Sequence, residues 1–254
     1  MVLPVTRTRS ANHVHLCYGI EVLFCLRFDK EFAAISARDF VKSILVDKIG
    51  IKELVVGYDY TFGHNREGNL SLLREMGDQM GFDVQLVGPV HVDHVLVSST
   101  SIRTLVQEGR LEEAKVLLGR SYQLLGTVVK GHNRGGRLLG FPTANLLVRD
   151  ELLPKVGVYA VTVIIEGKTY AGVTNIGYNP TFQDSGLSVE THILDYSGDL
   201  VGETIRVNFV KRLRDEKKFP GIKDLVDQIV RDIEEAREVL GSRIKSFSGG
   251  GGLL

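Results

Sequence analysis

Two stretches carry residues whose types and spacing suit chemistry on a phosphate. The first is GTVVKGHNRGGRLLGFPTANL, Gly126 to Leu146, in which Gly131, Gly135, Gly136 and Gly140 leave backbone N–H groups bare over a short span. Such a loop can approach phosphates closely because no Cβ stands in the way. No G-K-[ST] follows, so the pattern is not a Walker A loop, and a plain hairpin turn is the alternative reading. Pro142 then removes a ladder donor, and Thr143 and Asn145, in an extended chain, project to one side about 7 Å apart. A hydroxyl and an amide oxygen are hard donors of the kind Mg²⁺ accepts together with water and substrate phosphates. The pair could hold a Mg–ATP complex, or it could be the polar face of an edge strand. The second stretch is SVETHILDY, Ser188 to Tyr196. Alternation sets Glu190, His192 and Leu194 on one face and Val189, Thr191 and Ile193 on the other, so that Glu190 is either a proton acceptor near the glycine loop or part of a solvated face.

These residues belong to the second of two halves that differ in period. From Glu21 to about Gly119, apolar runs alternate with helical ones, the pattern of a parallel sheet covered by helices. EVLFCLRF (from Glu21) and ELVVGY (from Glu53) read as buried strands. Between them, Ser36 and Asp39 form a capping-box pattern, and Phe40, Val41, Ile44, Leu45 and Ile49 line one helical face that Gly50 ends. Helices are predicted over Leu70–Met80, after VSST and at LEEAKVLL, with a strand at FDVQLV. The domain is incomplete as an α/β nucleotide-binding fold, because no glycine-rich turn into a helix precedes Glu21.

After Gly119 the chain turns to alternating strands, YQLLGTVV, GVYAVTVII, TYAGVTNIG, LSVETHILDY and ETIRVNFV, parted by Gly, Asn, Asp and Pro. Such antiparallel strands close into a small barrel, the favoured reading, or pack as a sandwich. KDLVDQIVRDIEEAREVL then offers Leu225, Val226, Ile229, Val230, Ile233 and Val239 or Leu240 as an apolar stripe to dock on the sheet.

The 254 residues suffice for two domains, and 31 basic against 31 acidic residues leave no net field to attract nucleic acid or a membrane surface. The two cysteines, Cys17 and Cys25, make neither a C-x-x-C pair nor a disulfide framework, which fits a reducing, cytoplasmic setting. Apolar runs such as Val22–Leu26 have strand length and fall short of the roughly 20 residues of a spanning helix. His91 and His94, in VHVDHV, face opposite sides of a strand with no third ligand, so a hairpin is expected there rather than a metal site. His132 and His192 stand beside motif positions and suit ligand contact or packing.

GRLLGFPTAN, GVYAV, NIGYNPTF and VETHILDY, in that order and spacing, resemble the riboflavin kinase module. The chain from about Gly19 to Leu240 resembles the bacterial bifunctional riboflavin kinase/FAD synthetase family. The resemblance implies a six-stranded antiparallel barrel with a C-terminal helix over residues 120–242, while SFSGGGGLL, from Ser246, has a flexible tail's composition, and residues 243–254 are read as tail. The resemblance places Thr143 and Asn145 at the Mg–ATP site and makes Glu190 the base that activates the ribityl 5′-hydroxyl, with riboflavin and ATP as substrates and FMN and ADP as products. FVKRLRDEKKF, Phe209 to Phe219, resembles the family's mobile flap, a solvated charged connection being the other reading.

By the same resemblance residues 1–119 are an incomplete Rossmann-like FMN adenylyltransferase domain. GYDYTFGHNREG, Gly57 to Gly68, matches the family's G-x-D-F-x-F-G-x-x-R-x-G at Gly57, Asp59, Phe62, Gly63 and Arg66. VSSTSIR matches I-S-S-T-x-I-R at Ser98, Ser99, Thr100 and Arg103, residues that would set hydroxyls and an arginine against phosphates at a helix start. The family's H-x-G-H element has no counterpart: His13 and His15 lack the glycine and the spacing, and His64 belongs to another motif. The expectation is a domain without its first strand and phosphate site, inactive in adenylyl transfer and the less stable half of the chain.

Overall fold

A computed structural model describes residues 19–131, 140–148, 151–178 and 186–247, the last six by backbone alone. Two compact units divide it, Phe24–Val97 and the remainder. In the first unit Asp29 caps a single turn, Lys30–Ala33, through a 2.9 Å bond from Phe32 N. Ser36 caps the next helix, accepting from Asp39 N at 3.1 Å while its hydroxyl donates to Asp39 Oδ2 at 2.7 Å. The expected helix differs in kind: Ala37–Asp39 runs into a π-helix, Phe40–Ile49, before Gly50 stops it at φ 72°. Its i→i+5 bonding widens the turn and shifts which side chains face inward. Val41 is buried and Phe40, Leu45 and Val46 pack beside it, whereas Ile49, expected on that face, is exposed.

β1 (Glu53–Gly57) pairs in parallel with β2 (Asp83–Val87), and α1 (Leu70–Met80) lies between them in sequence. Asn69 Oδ1 caps α1 at Leu72 N, 3.0 Å away, and Gly81 ends it at φ 79°. Leu73 and Met76 of α1 join Val41, Val56, Phe62 and Phe82 in one core. β3 (His91–Val92) and β4 (Val95–Leu96) form a hairpin whose turn residues, Asp93 and His94, both have positive φ, as a two-residue turn of this hand requires. Two expectations fail: β1 is a strand but only Val56 of it is buried, with Val55 exposed, and Glu21–Phe28 is neither a strand nor buried. Unpaired with β1 or β2, it leaves Val22, Leu23, Phe24, Leu26 and Phe28 exposed, Phe28 at 78%.

The second unit holds α2 (Ser99–Glu108), α3 (Leu111–Leu118) and a closed six-stranded barrel. Its strands are β5 (Tyr122–Val129), β6 (Ala144–Leu147), β7 (Gly157–Ile165), β8 (Lys168–Tyr178), β9 (Leu187–Ile193) and β10 (Thr204–Arg214), in the antiparallel order β10-β5-β6-β9-β8-β7. Alternate residues fill the interior. Tyr122, Leu124, Tyr159, Val161, Ile176, Val189, Val207 and Phe209 are buried there, with Tyr159 edge-on to Phe209 at 5.2 Å. Thr174 and Thr191, also buried, satisfy each other through a 2.8 Å hydroxyl bond.

α4 (Ile222–Phe247) packs across the outer faces of β7, β8 and β10, and its backbone continues past residue 242 into the stretch expected as tail. That cover explains why β7 is buried on both faces, with Ala160 touching Ala236 and Leu240 in a second small core. Val230, expected on the docking stripe, stays partly in solvent at 39% exposure, and Ala236 and Asp232 are buried instead. The flap-like stretch is also more regular than expected, because β10 runs through Val210–Arg214 and leaves only residues 215–219 irregular. Among the described residues no helix is long and apolar enough to cross a membrane.

Candidate active site

Strand register decides which side chains meet. Asn145 of β6 pairs with Glu190 of β9, Glu190 with Asn175 of β8, Asn175 with Val158 of β7, and Val158 with Arg214 of β10. Directly opposed residues project from the same face about 5 Å apart. These five therefore form one rung on the outer wall, while Val189 and Thr191 on either side of Glu190 point into the barrel. Two bulges in β10, between Phe209 and Lys211 and between Arg212 and Arg214, each advance the register by one residue and so set Arg214 rather than Arg212 on that rung.

A cavity of about 420 Å³ lies between this wall and α4. Thr143, Asn175, Glu190, His192 and Arg214 line it from the barrel, and Leu225, Ile229, Asp232 and Ile233 from the helix. Glu216, Lys217 and Phe219 of the β10–α4 connection close one side. Glu190 is half-buried. His192 also fixes the approach to β6: its Nδ1 lies 2.7 Å from the Pro142 carbonyl oxygen and its ring meets Phe141 edge-on. Gly131, just past β5, stands against the Asn145 side chain, where a Cβ would lie 2.7 Å from Asn145 Cγ. Gly140 turns the chain with φ 85°. Thr143, Asn145, Gly131 and Glu190 are thus brought to one region. Gly135, Gly136 and His132 lie outside the described residues.

Sequence reasoning missed Asn175, Arg214 and Asp232. Arg214 grips Asp232 with Nε at 2.9 Å from Oδ1 and Nη2 at 2.7 Å from Oδ2, the two side chains only 15% and 6% exposed. Gln228 Nε2 adds a third donor to Asp232 at 2.9 Å. The available signal was a carboxylate between Ile229 and Ile233 on an otherwise apolar stripe. Arg212, on the opposite side of the same strand end, donates to the Val156 carbonyl and to Asp215, both at 2.7 Å, and lies over the Tyr159 ring. Its guanidinium holds the Asp215 carboxyl below the usual carboxylate range.

In the Phe24–Val97 unit the Gly57–Gly68 motif builds a different cavity, about 340 Å³, lined by Phe28, Phe32, Phe40, Tyr60, Phe62 and Arg66 among others. Tyr60 stacks on Phe62 at 5.5 Å, and burial raises its phenol pKa. Gly63, at φ 75°, packs on the Ala37 backbone; Gly57 ends β1 beside Asp59, which does not line the cavity. The Ser98–Arg103 motif starts α2. Ser98 Oγ accepts from Ser101 N at 3.1 Å as its cap, Ser99 and Thr100 are exposed in its first turn, and Arg103 donates to Thr100 Oγ1 at 3.3 Å. His13 and His15 lie outside the described residues.

Comparison with known proteins agrees with both halves. A riboflavin kinase family model matches residues 118–240 and an FAD synthetase model residues 4–101. The bifunctional riboflavin kinase/FMN adenylyltransferase of Escherichia coli K12 is 40% identical over 238 residues, 93% of this chain and 76% of that protein. The chain belongs to the bifunctional riboflavin kinase/FMN adenylyltransferase family. It holds a riboflavin kinase domain and an FAD synthetase domain. The family's member from Buchnera aphidicola of Acyrthosiphon pisum is 37% identical over 232 residues, 90% of this chain and 74% of that one. The crystal structure of a macrolide-efflux protein from Streptococcus pneumoniae matches with TM-score 0.80 at 33% identity, over 92% of this chain and 76% of that one.

Proposed function

We propose that the barrel transfers the γ-phosphoryl group of Mg–ATP to the 5′-hydroxyl of riboflavin, giving FMN and ADP. The observation that carries this reading is the opening of Thr143 and Glu190 onto one cavity, with Asn145 beside Glu190 on the same rung. Thr143 and Asn145 supply hard oxygens suited to Mg²⁺, whose contribution when bound is to neutralise charge on the phosphoryl oxygens. Gly131 and Gly140, with Gly135 and Gly136 of the same loop, offer N–H groups to the phosphates. Glu190 accepts the proton as the hydroxyl oxygen bonds to phosphorus and the bond to the bridging oxygen of ADP breaks. The flat flavin ring takes the apolar wall of Phe219, Leu225, Ile229 and Ile233. Positioning and charge neutralisation suffice for this chemistry, so no Walker lysine is needed.

The same reading assigns no FMN adenylylation to these 254 residues taken alone. The 254 residues contain no H-x-G-H, although Phe62, Gly63 and Arg66 line a cavity and Ser98–Arg103 opens a helix. A bifunctional enzyme is the second reading, favoured by the family match over residues 4–101. Riboflavin, ATP and Mg²⁺ incubated with pure protein, with FMN, FAD and pyrophosphate quantified together, separate the readings. FMN alone is expected; FAD and pyrophosphate would establish the second reading. Tight flavin binding without turnover would replace both with a non-catalytic binding module. Small-molecule substrates and a cytoplasmic location fit the first reading.

A further inference from the structure

An arginine in the wall of a kinase cavity is ordinarily read as a clamp on phosphates. We infer that Arg214, paired with Asp232, is instead a positioning residue that sets the wall receiving the flavin ring; this rests on the riboflavin kinase reading above. Nε and Nη2 fork onto the Asp232 carboxylate, and Nη1 donates to the Asp215 carbonyl at 2.9 Å. The charge is neutralised by a partner that is itself buried and held by Gln228. The guanidinium carbon lies 5.8 Å from the centre of the Phe219 ring.

The pair joins the last residue of β10 to the third turn of α4, and the chain between them supplies Glu216, Lys217 and Phe219 to the cavity. Holding both ends of that connection fixes where Phe219 stands relative to Leu225, Ile229 and Ile233. Glu216 is seated by a notch as well, since a Cβ on Gly177 would lie 3.1 Å from its Cδ. Arg214 and Asn145 stand at opposite ends of the five-residue rung. It thus belongs to the ring end of the cavity, away from the candidate phosphate end. Buried ion pairs contribute little net stability against well-packed apolar replacements, so stability alone does not account for this one.

The test is steady-state kinetics of Arg214→Lys, Asp232→Asn and the double variant Arg214→Met/Asp232→Leu, with riboflavin and ATP varied separately. Riboflavin fluorescence quenching and thermal melting accompany the kinetics. A lysine cannot form the fork, and a shift of the wall by an ångström or less is expected to raise the riboflavin KM and Kd about tenfold or more. ATP KM and kcat should stay within about twofold, since the phosphate end is untouched. The double variant, free of buried unpaired charge, should melt near the wild-type temperature yet keep the raised riboflavin Kd. The inference is overturned if ATP KM or kcat changes as much as riboflavin KM, if riboflavin binding is unaltered, or if the double variant restores it. Wild-type protein making no FMN would sink the kinase reading itself, whereas normal wild-type turnover with unaltered variants would sink only this inference.

Discussion

Replacing Gly131 by alanine should lower kinase activity without lowering stability. A Cβ at this position would stand 2.7 Å from Asn145 Cγ and 3.1 Å from its Oδ1, and nearer still to Nδ2. Carbon atoms in contact sit about 3.5–4.0 Å apart, so the amide must move by roughly 1 Å. Asn145 is held by backbone pairing to Val129 and to Glu190, which leaves the side chain to take up the shift. A misplacement of this size costs about a hundredfold in kcat/KM, or about 2.7 kcal/mol of transition-state stabilisation. Gly131 does not have a left-handed φ, so alanine meets no backbone penalty there and should, if anything, stabilise by about 0.4–1 kcal/mol. The assay is FMN formation by Gly131→Ala, Asn145→Ala and the double variant, with thermal melting alongside. In the Asn145→Ala background the alanine at 131 should cost nothing further, because the atoms it displaces are gone. Wild-type kcat/KM in Gly131→Ala, or the same loss in both backgrounds, would refute the argument.

Gly63→Ala should destabilise the Phe24–Val97 unit alone: φ is 75° and a Cβ would lie 2.6 Å from the Ala37 backbone. With ψ at 179° this is a conformation open essentially to glycine alone, costing about 1–3 kcal/mol for alanine, and faster hydrogen exchange in Leu70–Met80 with an unchanged barrel is the expected signature. Tyr122 is buried, its hydroxyl donating to the Leu152 carbonyl at 2.5 Å, and burial raises its pKa from 10.0. Below pH 10 its contribution is fully present; as pH rises further the unfolded chain ionises first, so stability falls towards the folded pKa. Tyr122→Phe should lose about 1 kcal/mol at neutral pH and show a flatter alkaline limb, and an identical alkaline limb would contradict the assignment.

Much of the barrel was legible because period-2 alternation in strands such as YQLLGTVV has one physical cause, a wet face and a dry one. Where α4 covers the outer wall that contrast disappears, and the burial of Val158 and Ala160 could not be read from β7 itself. Thr143, Asn145 and Glu190 stood out as polar residues in local motifs. Asn175, Arg214 and Asp232 did not, since their meeting depends on register across three strands, on bulges in β10 and on helix docking. The π-helical turn at Phe40–Ile49 escaped for a similar reason, an apolar stripe being compatible with more than one helical period over ten residues. Glu21–Phe28 has a strand's composition, but a strand exists only where a neighbour supplies the ladder.

The most direct test of the account is the rate of FMN formation by Glu190→Gln, measured with ATP affinity in the same preparation. Removing the proton acceptor while keeping its shape should cut kcat by about 10²–10⁴-fold and leave ATP binding unchanged. Wild-type kcat in this variant would contradict the account.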